Sequence, residues 1–111
     1  MPNPPDSTIA VVDDDDAFAK LLCDCIRDLG KQAVPFSRGL DFLSRYEPDS
    51  VPPPEIVVLD IHLPDMPGTE ICSRARALKK FDRTIFIAFT GRMRSDDERW
   101  LKNIGFDLVL I

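Results

Sequence analysis

Three apolar runs that each end in polar residues are the strongest pattern in the chain. They are Ile9–Val12 followed by Asp13–Asp16, Ile56–Leu59 followed by Asp60, and Ile85–Phe89 followed by Thr90 and Gly91. Because consecutive apolar residues are typical of parallel strands covered on both faces, we interpret these runs as strands of one sheet. The polar residues then emerge at its carboxyl edge, where open α/β sheets bind ligands.

Amphipathic segments lie between these runs and predict helices. The first helix should begin at Asp15 or Asp16 and end near Gly30, with an apolar stripe directed into the core. That stripe consists of Phe18, Leu21, Leu22, Cys25, Ile26 and Leu29. Further helices are predicted over Ser37–Tyr46, carrying Leu40, Phe42 and Leu43; from Thr69 to about Lys80, with Ile71, Cys72, Ala75 and Leu78 inward; and from Ser95 to Gly105, carrying Leu101 and Ile104.

Two weaker strands complete the predicted fold. Gln32–Phe36 contains Pro35, which suits an edge strand, and Leu108–Ile111 forms a fifth strand. Strands that alternate with helices predict an α/β fold with right-handed crossovers. We expect residues 1–7 to be a disordered lead-in and residues 8–111 to be one domain.

Composition narrows the classes of function. The chain of 111 residues has 44% hydrophobic and 30% charged residues, as expected of one globular domain, and its net charge of −5 argues against direct binding of nucleic acid. No apolar stretch reaches the length of a membrane span, and the proline-rich start lacks the plan of a signal peptide. We therefore predict a cytoplasmic protein that does not bind membranes.

The cysteines offer no metal site. Cys23, Cys25 and Cys72 are odd in number and fit no known ligand spacing. Because Cys25 lies on the predicted inward stripe of the first helix, we expect it to be a buried free thiol.

The carboxylates at the predicted sheet edge suggest a chemistry. Taken alone, Asp13–Asp16 fits an acidic turn that caps a helix, and Asp60 fits a turn after a strand. Together with Thr90 at the same edge they indicate a bound cation beside a nucleophilic carboxylate. This combination suggests phosphoryl transfer.

The order of these motifs resembles the receiver domain of bacterial two-component response regulators. The resemblance covers nearly the whole chain and is carried by Val11–Asp15, Val57–Gly68, Ala88–Gly91 and Gly105–Asp107. It implies a flavodoxin-like, doubly wound parallel sheet of five strands in the order 2-1-3-4-5. In that order the first, third and fourth strands are neighbours, so Asp13, Asp14, Asp60 and Thr90 should share one crevice.

The resemblance also implies roles for these residues. Asp60 would accept a phosphoryl group from a histidine kinase or a histidine phosphotransfer protein, without turnover of an external substrate. Mg²⁺ (or Mn²⁺) would be bound directly by Asp14 and Asp60, through a water by Asp13, and by the backbone carbonyl of His62. Thr90 would act as the conformational switch, with the output received by an effector domain or partner protein outside this chain. His62 and Arg92 would tune dephosphorylation.

The chain departs from the family pattern at its end. Counting from Gly105 places the family's lysine one position after Ile111, and the last helix of the fold is missing. We therefore expect a receiver domain that is incomplete at its carboxyl end, with an apolar patch exposed beside the first helix.

Two alternative functions remain open at this point. A pseudo-receiver would keep the fold as a protein-interaction module without phosphorylation, and the missing lysine favours it. A phosphatase of the haloacid-dehalogenase type needs a second Asp two residues after the first, followed by a small residue and then Thr. Asp60 is followed by Ile61 and His62, and the Asp13–Asp15 pair has Ala17 where Thr is required.

Overall fold

The computed structural model describes residues 8–91 and 95–110, apart from the side chains at positions 95 and 96. In chain order the elements are β1 (Thr8–Val12), α1 (Asp16–Asp28), β2 (Gln32–Phe36), α2 (Gly39–Tyr46), β3 (Ile56–Asp60), α3 (Gly68–Arg76), a short 3₁₀ helix (Lys79–Phe81), β4 (Ile85–Phe89), α4 (Ser95–Ile104) and β5 (Leu108–Leu110). The expected lead-in, Arg92 and Ile111 lie outside the described residues. No helix in the described part of the chain is long and apolar enough to cross a membrane.

The five strands form one parallel sheet in the order β2-β1-β3-β4-β5, which confirms the predicted fold. The sequences of β1 and β2 explain why one lies inside the sheet and the other at its edge. β1 is central, and its last three residues are fully buried because both faces of the sheet are covered there. β2 is an edge strand, where Pro35 costs no ladder hydrogen bond on the open side.

The two faces of the sheet differ in how they are covered. The larger core cluster joins one face to α2, α3 and α4, and its largest members are Phe42, Phe81, Phe86 and Leu101. The smaller cluster joins the other face to α1 alone and consists of Val11, Ala19, Cys23, Ile26 and Ala33. In the part of the chain that the structure describes, the sheet is therefore covered by three helices on one side and by a single helix on the other.

The prediction for the inward face of α1 is wrong for half of its residues. Leu21 and Leu29 are 63% and 83% exposed, and Cys25 is exposed rather than buried. The helix packs on β1 and β2 through Ala19, Cys23 and Ile26. Because Ala19 and Cys23 are small, α1 can pack against the sheet through them. The predicted stripe with Leu21, Cys25 and Leu29 then points away from the sheet. The capping prediction is confirmed, since Asp15 accepts the N–H of Phe18 at 3.1 Å.

The inward prediction for Leu78 is wrong, and Leu40, an apolar residue of the predicted second helix, is exposed as well. Leu40 is 47% exposed because α2 buries Gly39, Phe42 and Tyr46, which places the neighbouring Leu40 outside. Leu78 is 41% exposed because α3 ends at Arg76 and the backbone is extended at Leu78, where the helical period no longer applies.

Part of the face beside α1 carries exposed apolar side chains. Ile85, Leu108 and Leu110 are 40%, 51% and 49% exposed, and strand alternation places them on the face that α1 occupies over β1 and β2. Phe18 of α1 reaches toward this region, with its ring 5.0 Å from that of Phe89. Within residues 8–91 and 95–110, no helix covers this part of the sheet.

Candidate functional site

The register of the sheet brings distant carboxylates to one edge. Val12 of β1 pairs with Leu59 of β3, so that Asp13 and Asp60 occupy the next position on neighbouring strands. Asp60 pairs in turn with Phe89 of β4, and Thr90 follows directly. The parallel arrangement therefore places the predicted residues at the same carboxyl edge, as the sequence analysis expected.

Three carboxylates form a compact cluster at this edge. One oxygen each from Asp13, Asp14 and Asp60 lies within 4.8 Å of the other two. Asp13 is 8% exposed, Asp60 is half-buried and Asp14 is exposed. Two backbone groups orient them: the N–H of Asp15 donates to Oδ1 of Asp13 at 2.9 Å, and the N–H of His62 donates to Oδ1 of Asp60 at 3.0 Å.

Burial and mutual repulsion both disfavour charge on these carboxyl groups. Burial is the largest cause that raises the pKa of Asp13, and the carboxylates of Asp60 and Asp14 raise it further. Burial likewise raises the pKa of Asp60 above its ordinary value, with Asp14 adding to the effect and the N–H of His62 opposing it. Such a cluster becomes more favourable when a cation neutralises it.

The donor set fits Mg²⁺ or Mn²⁺. Both ions prefer oxygen ligands, and Mg²⁺ holds them at about 2.0–2.1 Å in an octahedron, which places neighbouring ligand oxygens about 3 Å apart and opposite ones about 4 Å apart. Carboxylate oxygens that all lie within 4.8 Å of one another are close enough to share one ion of this kind. Asp14 is the most exposed of the three, so water can complete the coordination from the solvent side.

The other predicted site residues are placed as follows. Thr90 is 2% exposed, and its backbone N–H donates to the carbonyl of Leu110 at 3.1 Å, which ties this position to β5. His62 is exposed on the loop after β3, where its main chain contacts Asp60. The tuning role predicted for Arg92 falls on a residue outside the described part of the chain.

Two residues near the site have contacts that the sequence analysis did not foresee. Asp65 binds the first backbone groups of α2, which is 25 residues away in the chain, and no local pattern signals such a contact. Gly68 packs against the end of β3: a Cβ at this position would overlap the carbonyl oxygen of Asp60 and come within 2.9 Å of the Cα of Ile61. Glycine is therefore required by the close approach of two backbones.

The sequence as a whole matches a known family. The model of the response regulator receiver domain matches residues 9–111. The chain therefore belongs to the response regulator receiver family, as its motifs indicated.

Relatives and solved structures agree with this membership. The chain is 28% identical over 100 residues to the alkaline phosphatase synthesis transcriptional regulatory protein PhoP of Bacillus subtilis, covering 90% of this chain and 38% of that protein. It is 30% identical to the BeF3-activated receiver domain of DrrB, a Thermotoga maritima protein, with a TM-score of 0.78 over 93% of this chain and 81% of that one. The chemotaxis response regulator CheY4 of Vibrio cholerae, 17% identical, shares the fold with a TM-score of 0.86 over 95% of this chain and 85% of that one.

The chain spans only part of the length of several curated relatives. It spans between 12% and 38% of the length of three curated relatives that it resembles. One of these is named as a transcriptional regulatory protein and another as a sensor histidine kinase, CheAY of Helicobacter pylori. The similarity therefore concerns only part of each of these proteins.

Proposed function

We propose that this chain is the phosphoacceptor of a two-component phosphorelay and that Asp60 is the residue phosphorylated. The observation that carries the proposal is the gathering of Asp13, Asp14 and Asp60 within 4.8 Å at the carboxyl edge of the sheet. Membership of the receiver family supports it, because receiver domains accept the phosphoryl group at this edge of the sheet.

The transfer step uses the carboxylate of Asp60 as nucleophile. One of its oxygens attacks the phosphorus of a phosphohistidine on a histidine kinase or phosphotransfer protein. The new O–P bond forms as the N–P bond breaks, and the imidazole leaves with the electron pair. The product is an acyl phosphate on Asp60. The N–H of His62 holds one carboxylate oxygen at 3.0 Å and so orients the group for attack.

Three side chains and one carbonyl would hold the metal ion. Asp14 and Asp60 would bind it directly, Asp13 through a water, and the backbone carbonyl of His62 would be the remaining protein ligand. When bound, Mg²⁺ or Mn²⁺ supplies charge neutralisation for the transferred phosphoryl group.

Thr90 is the proposed switch. Its position directly after the strand that pairs with β3 supports a contact between its hydroxyl and a phosphoryl oxygen on Asp60. Its backbone bond to Leu110 links any movement of Thr90 to β5. New charge and new acceptors at Asp60 would then bias the conformation of this edge, which an effector domain or partner protein would detect. His62 and Arg92, two positions after Asp60 and Thr90, would tune the loss of the phosphoryl group.

The test is phosphorylation by a small donor. Incubation with acetyl phosphate and Mg²⁺ should add the mass of one phosphoryl group, and peptide mapping should locate it on Asp60. Asp60→Asn removes the nucleophile while keeping the shape of the side chain, so it should gain nothing. A chelator should abolish the gain in the wild type.

The same experiment should be run on the 111-residue chain and on any longer form that the gene encodes. A gain in either form that depends on Asp60 supports the proposal. No gain in any form with Mg²⁺ present would contradict it and leave the pseudo-receiver, an interaction module with this fold. Removal of the phosphoryl group by hydroxylamine would confirm the acyl phosphate.

A further inference from the structure

Asp65, in the loop between β3 and α3, caps a helix to which it is not adjacent in sequence. Its Oδ1 accepts the N–H of Gly39 at 3.0 Å, and its Oδ2 accepts the N–H of Leu40 at 2.8 Å. These are the first two residues of α2, whose own N-cap residue, Arg38, makes no side-chain capping bond. A carboxylate from a distant loop therefore satisfies the start of this helix.

The hydrogen bonds that Asp65 accepts also stabilise its ionised form. Burial alone would raise the pKa of Asp65, but the N–H groups of Leu40 and Gly39 outweigh it and hold the pKa below the ordinary value. The carboxylate is thus ionised at neutral pH, with both oxygens available as acceptors. Negative charge at the start of a helix is also favoured by the helix dipole.

The loop that contains Asp65 is fixed at two other points. Its base is closed where the N–H of Gly68 donates to the carbonyl of Ile61 at 2.8 Å, and His62 and Pro67 form an isolated antiparallel bridge. Leu63 and Met66 of the same loop pack against the larger core cluster, and the two hydrogen bonds from Asp65 to α2 add a polar attachment between them. Since the loop begins directly after Asp60, its position decides where the main chain of His62 lies.

The loop also borders the carboxylate cluster. Asp14, His62 and Asp65 line one open cleft of about 430 Å³. The N–H of His62 already contacts Asp60, three positions before Asp65 turns to α2. A displaced tip would therefore shift the His62 main chain relative to the acidic cluster.

We propose that Asp65 is a positioning residue for the metal site: by capping α2, it holds the β3–α3 loop where the main chain of His62 can serve Asp60 and the bound ion. This inference rests on the proposed function, because it assumes that Mg²⁺ binds at the cluster. It assigns α2 a part in metal binding, although no side chain of α2 touches the site.

The test compares Mg²⁺ binding and stability in three variants. Isothermal titration calorimetry should show that Asp65→Ala weakens Mg²⁺ binding on the order of tenfold, as removal of groups that orient metal ligands commonly does. Asp65→Asn keeps one acceptor oxygen and should lose only about threefold, by the same reasoning. Both variants lose the charge, so the difference between them isolates the hydrogen bonds from simple electrostatics.

Thr84→Val is the matched control for stability. The hydroxyl of Thr84 donates to the carbonyl of Pro54 at 2.8 Å, at the opposite, amino-terminal end of β4. Its loss should lower the Tm as a capping loss does, but it should leave the Mg²⁺ affinity unchanged.

The outcomes separate the two proposals. If Asp65→Ala lowers the Tm but binds Mg²⁺ as the wild type does, Asp65 is only a helix cap and the inference is wrong. Equal binding by Asp65→Asn and Asp65→Ala would overturn it as well, because charge alone would then explain the effect. If the wild type itself neither binds Mg²⁺ nor gains a phosphoryl group, the proposed function fails and the inference fails with it.

Discussion

The carboxyl groups of Asp13, Asp14 and Asp60 are close together and partly buried, an arrangement that favours a bound cation. Asp13 is nearly buried, yet it faces Asp60 and Asp14 within 4.8 Å. Groups placed for folding alone would be paired with a base or exposed to water. Among the described residues, the cluster has no lysine or arginine bridging it, since the ion pairs of the fold lie elsewhere. The repulsion among these three carboxylates is therefore not relieved by a basic side chain in the described fold, as expected of a site that binds a cation.

This arrangement predicts opposite effects of one substitution with and without metal. Burial and the neighbouring carboxylates raise the pKa of Asp13, which means that its negative charge is unfavourable in the fold. Asp13→Asn removes this charge, while the amide oxygen can still accept the N–H of Asp15. Without Mg²⁺ the variant should be more stable than the wild type by on the order of 1 kcal/mol, a rise in Tm of several degrees. With Mg²⁺ it should gain much less stability than the wild type does.

Thermal unfolding with and without MgCl₂ measures both effects. Asp49→Asn, which neutralises an exposed carboxylate in the loop between α2 and β3, serves as the control and should behave as the wild type in both conditions. An Asp13→Asn protein that is less stable than the wild type in the absence of metal would contradict the prediction.

At the scale of elements, α1 shows where sequence patterns stop being informative. Its apolar stripe correctly predicted a helix and its ends, because spacing and capping are local properties. The direction of the stripe was predicted wrongly at Leu21, Cys25 and Leu29. Which apolar residues touch the sheet depends on the size of the side chains across the interface, and Ala19 and Cys23 allow a closer approach than leucine. Ala19, Leu22, Cys23 and Ile26 also follow helical spacing, so the sequence offers two overlapping stripes, and packing between elements decides which one faces the sheet.

The three cysteines report this orientation directly. Cys25 is exposed on α1, whereas Cys23 and Cys72 are 1% and 0% exposed. Burial raises the pKa of Cys23 and raises that of Cys72 to about 12, which further reduces the reactive thiolate. In the folded protein Cys25 should therefore react with iodoacetamide on the order of tenfold or more faster than the other two.

Peptide mapping after a short reaction identifies the modified thiol, and Cys25→Ser should remove the fast phase. All three thiols should react at similar rates in denaturant. Protection of Cys25 together with rapid modification of Cys23 would show that α1 packs through the face first predicted from the sequence.

At the scale of the molecule, the sequence was sufficient for the fold and for the gathering of Asp13, Asp14, Asp60 and Thr90 at one edge of the sheet. Apolar runs that end in Asp13, Asp60 and Thr90 follow from the burial of parallel strands, and the strand order then brings these residues together. The capping of α2 by Asp65 could not be predicted, because its partners are 25 and 26 residues away and any acceptor of similar shape would leave the same local pattern.

The uneven covering of the sheet has a consequence for the 111-residue chain in solution. Ile85, Leu108 and Leu110 are 40–51% exposed on one face, beside the rotated stripe of α1. Contiguous apolar surface of this kind promotes association in monomeric proteins. We therefore expect the chain to self-associate as its concentration rises, and more strongly at high salt, which screens the repulsion between molecules of net charge −5.

Sedimentation velocity over a range of concentrations tests this expectation with a matched pair of variants. Leu108→Lys places a charge on the exposed face of β5 and should shift the association at least severalfold toward monomer. Leu40→Lys changes the net charge equally at a residue of similar exposure, 47% against 51%, but on the opposite side of the sheet, and should leave the association nearly unchanged. Equal shifts in both variants would mean that net charge controls the association, and a monomer at all concentrations and salts would mean that the exposed strands are too small a surface to pair. Only a difference between the two lysines assigns the contact to the face beside α1.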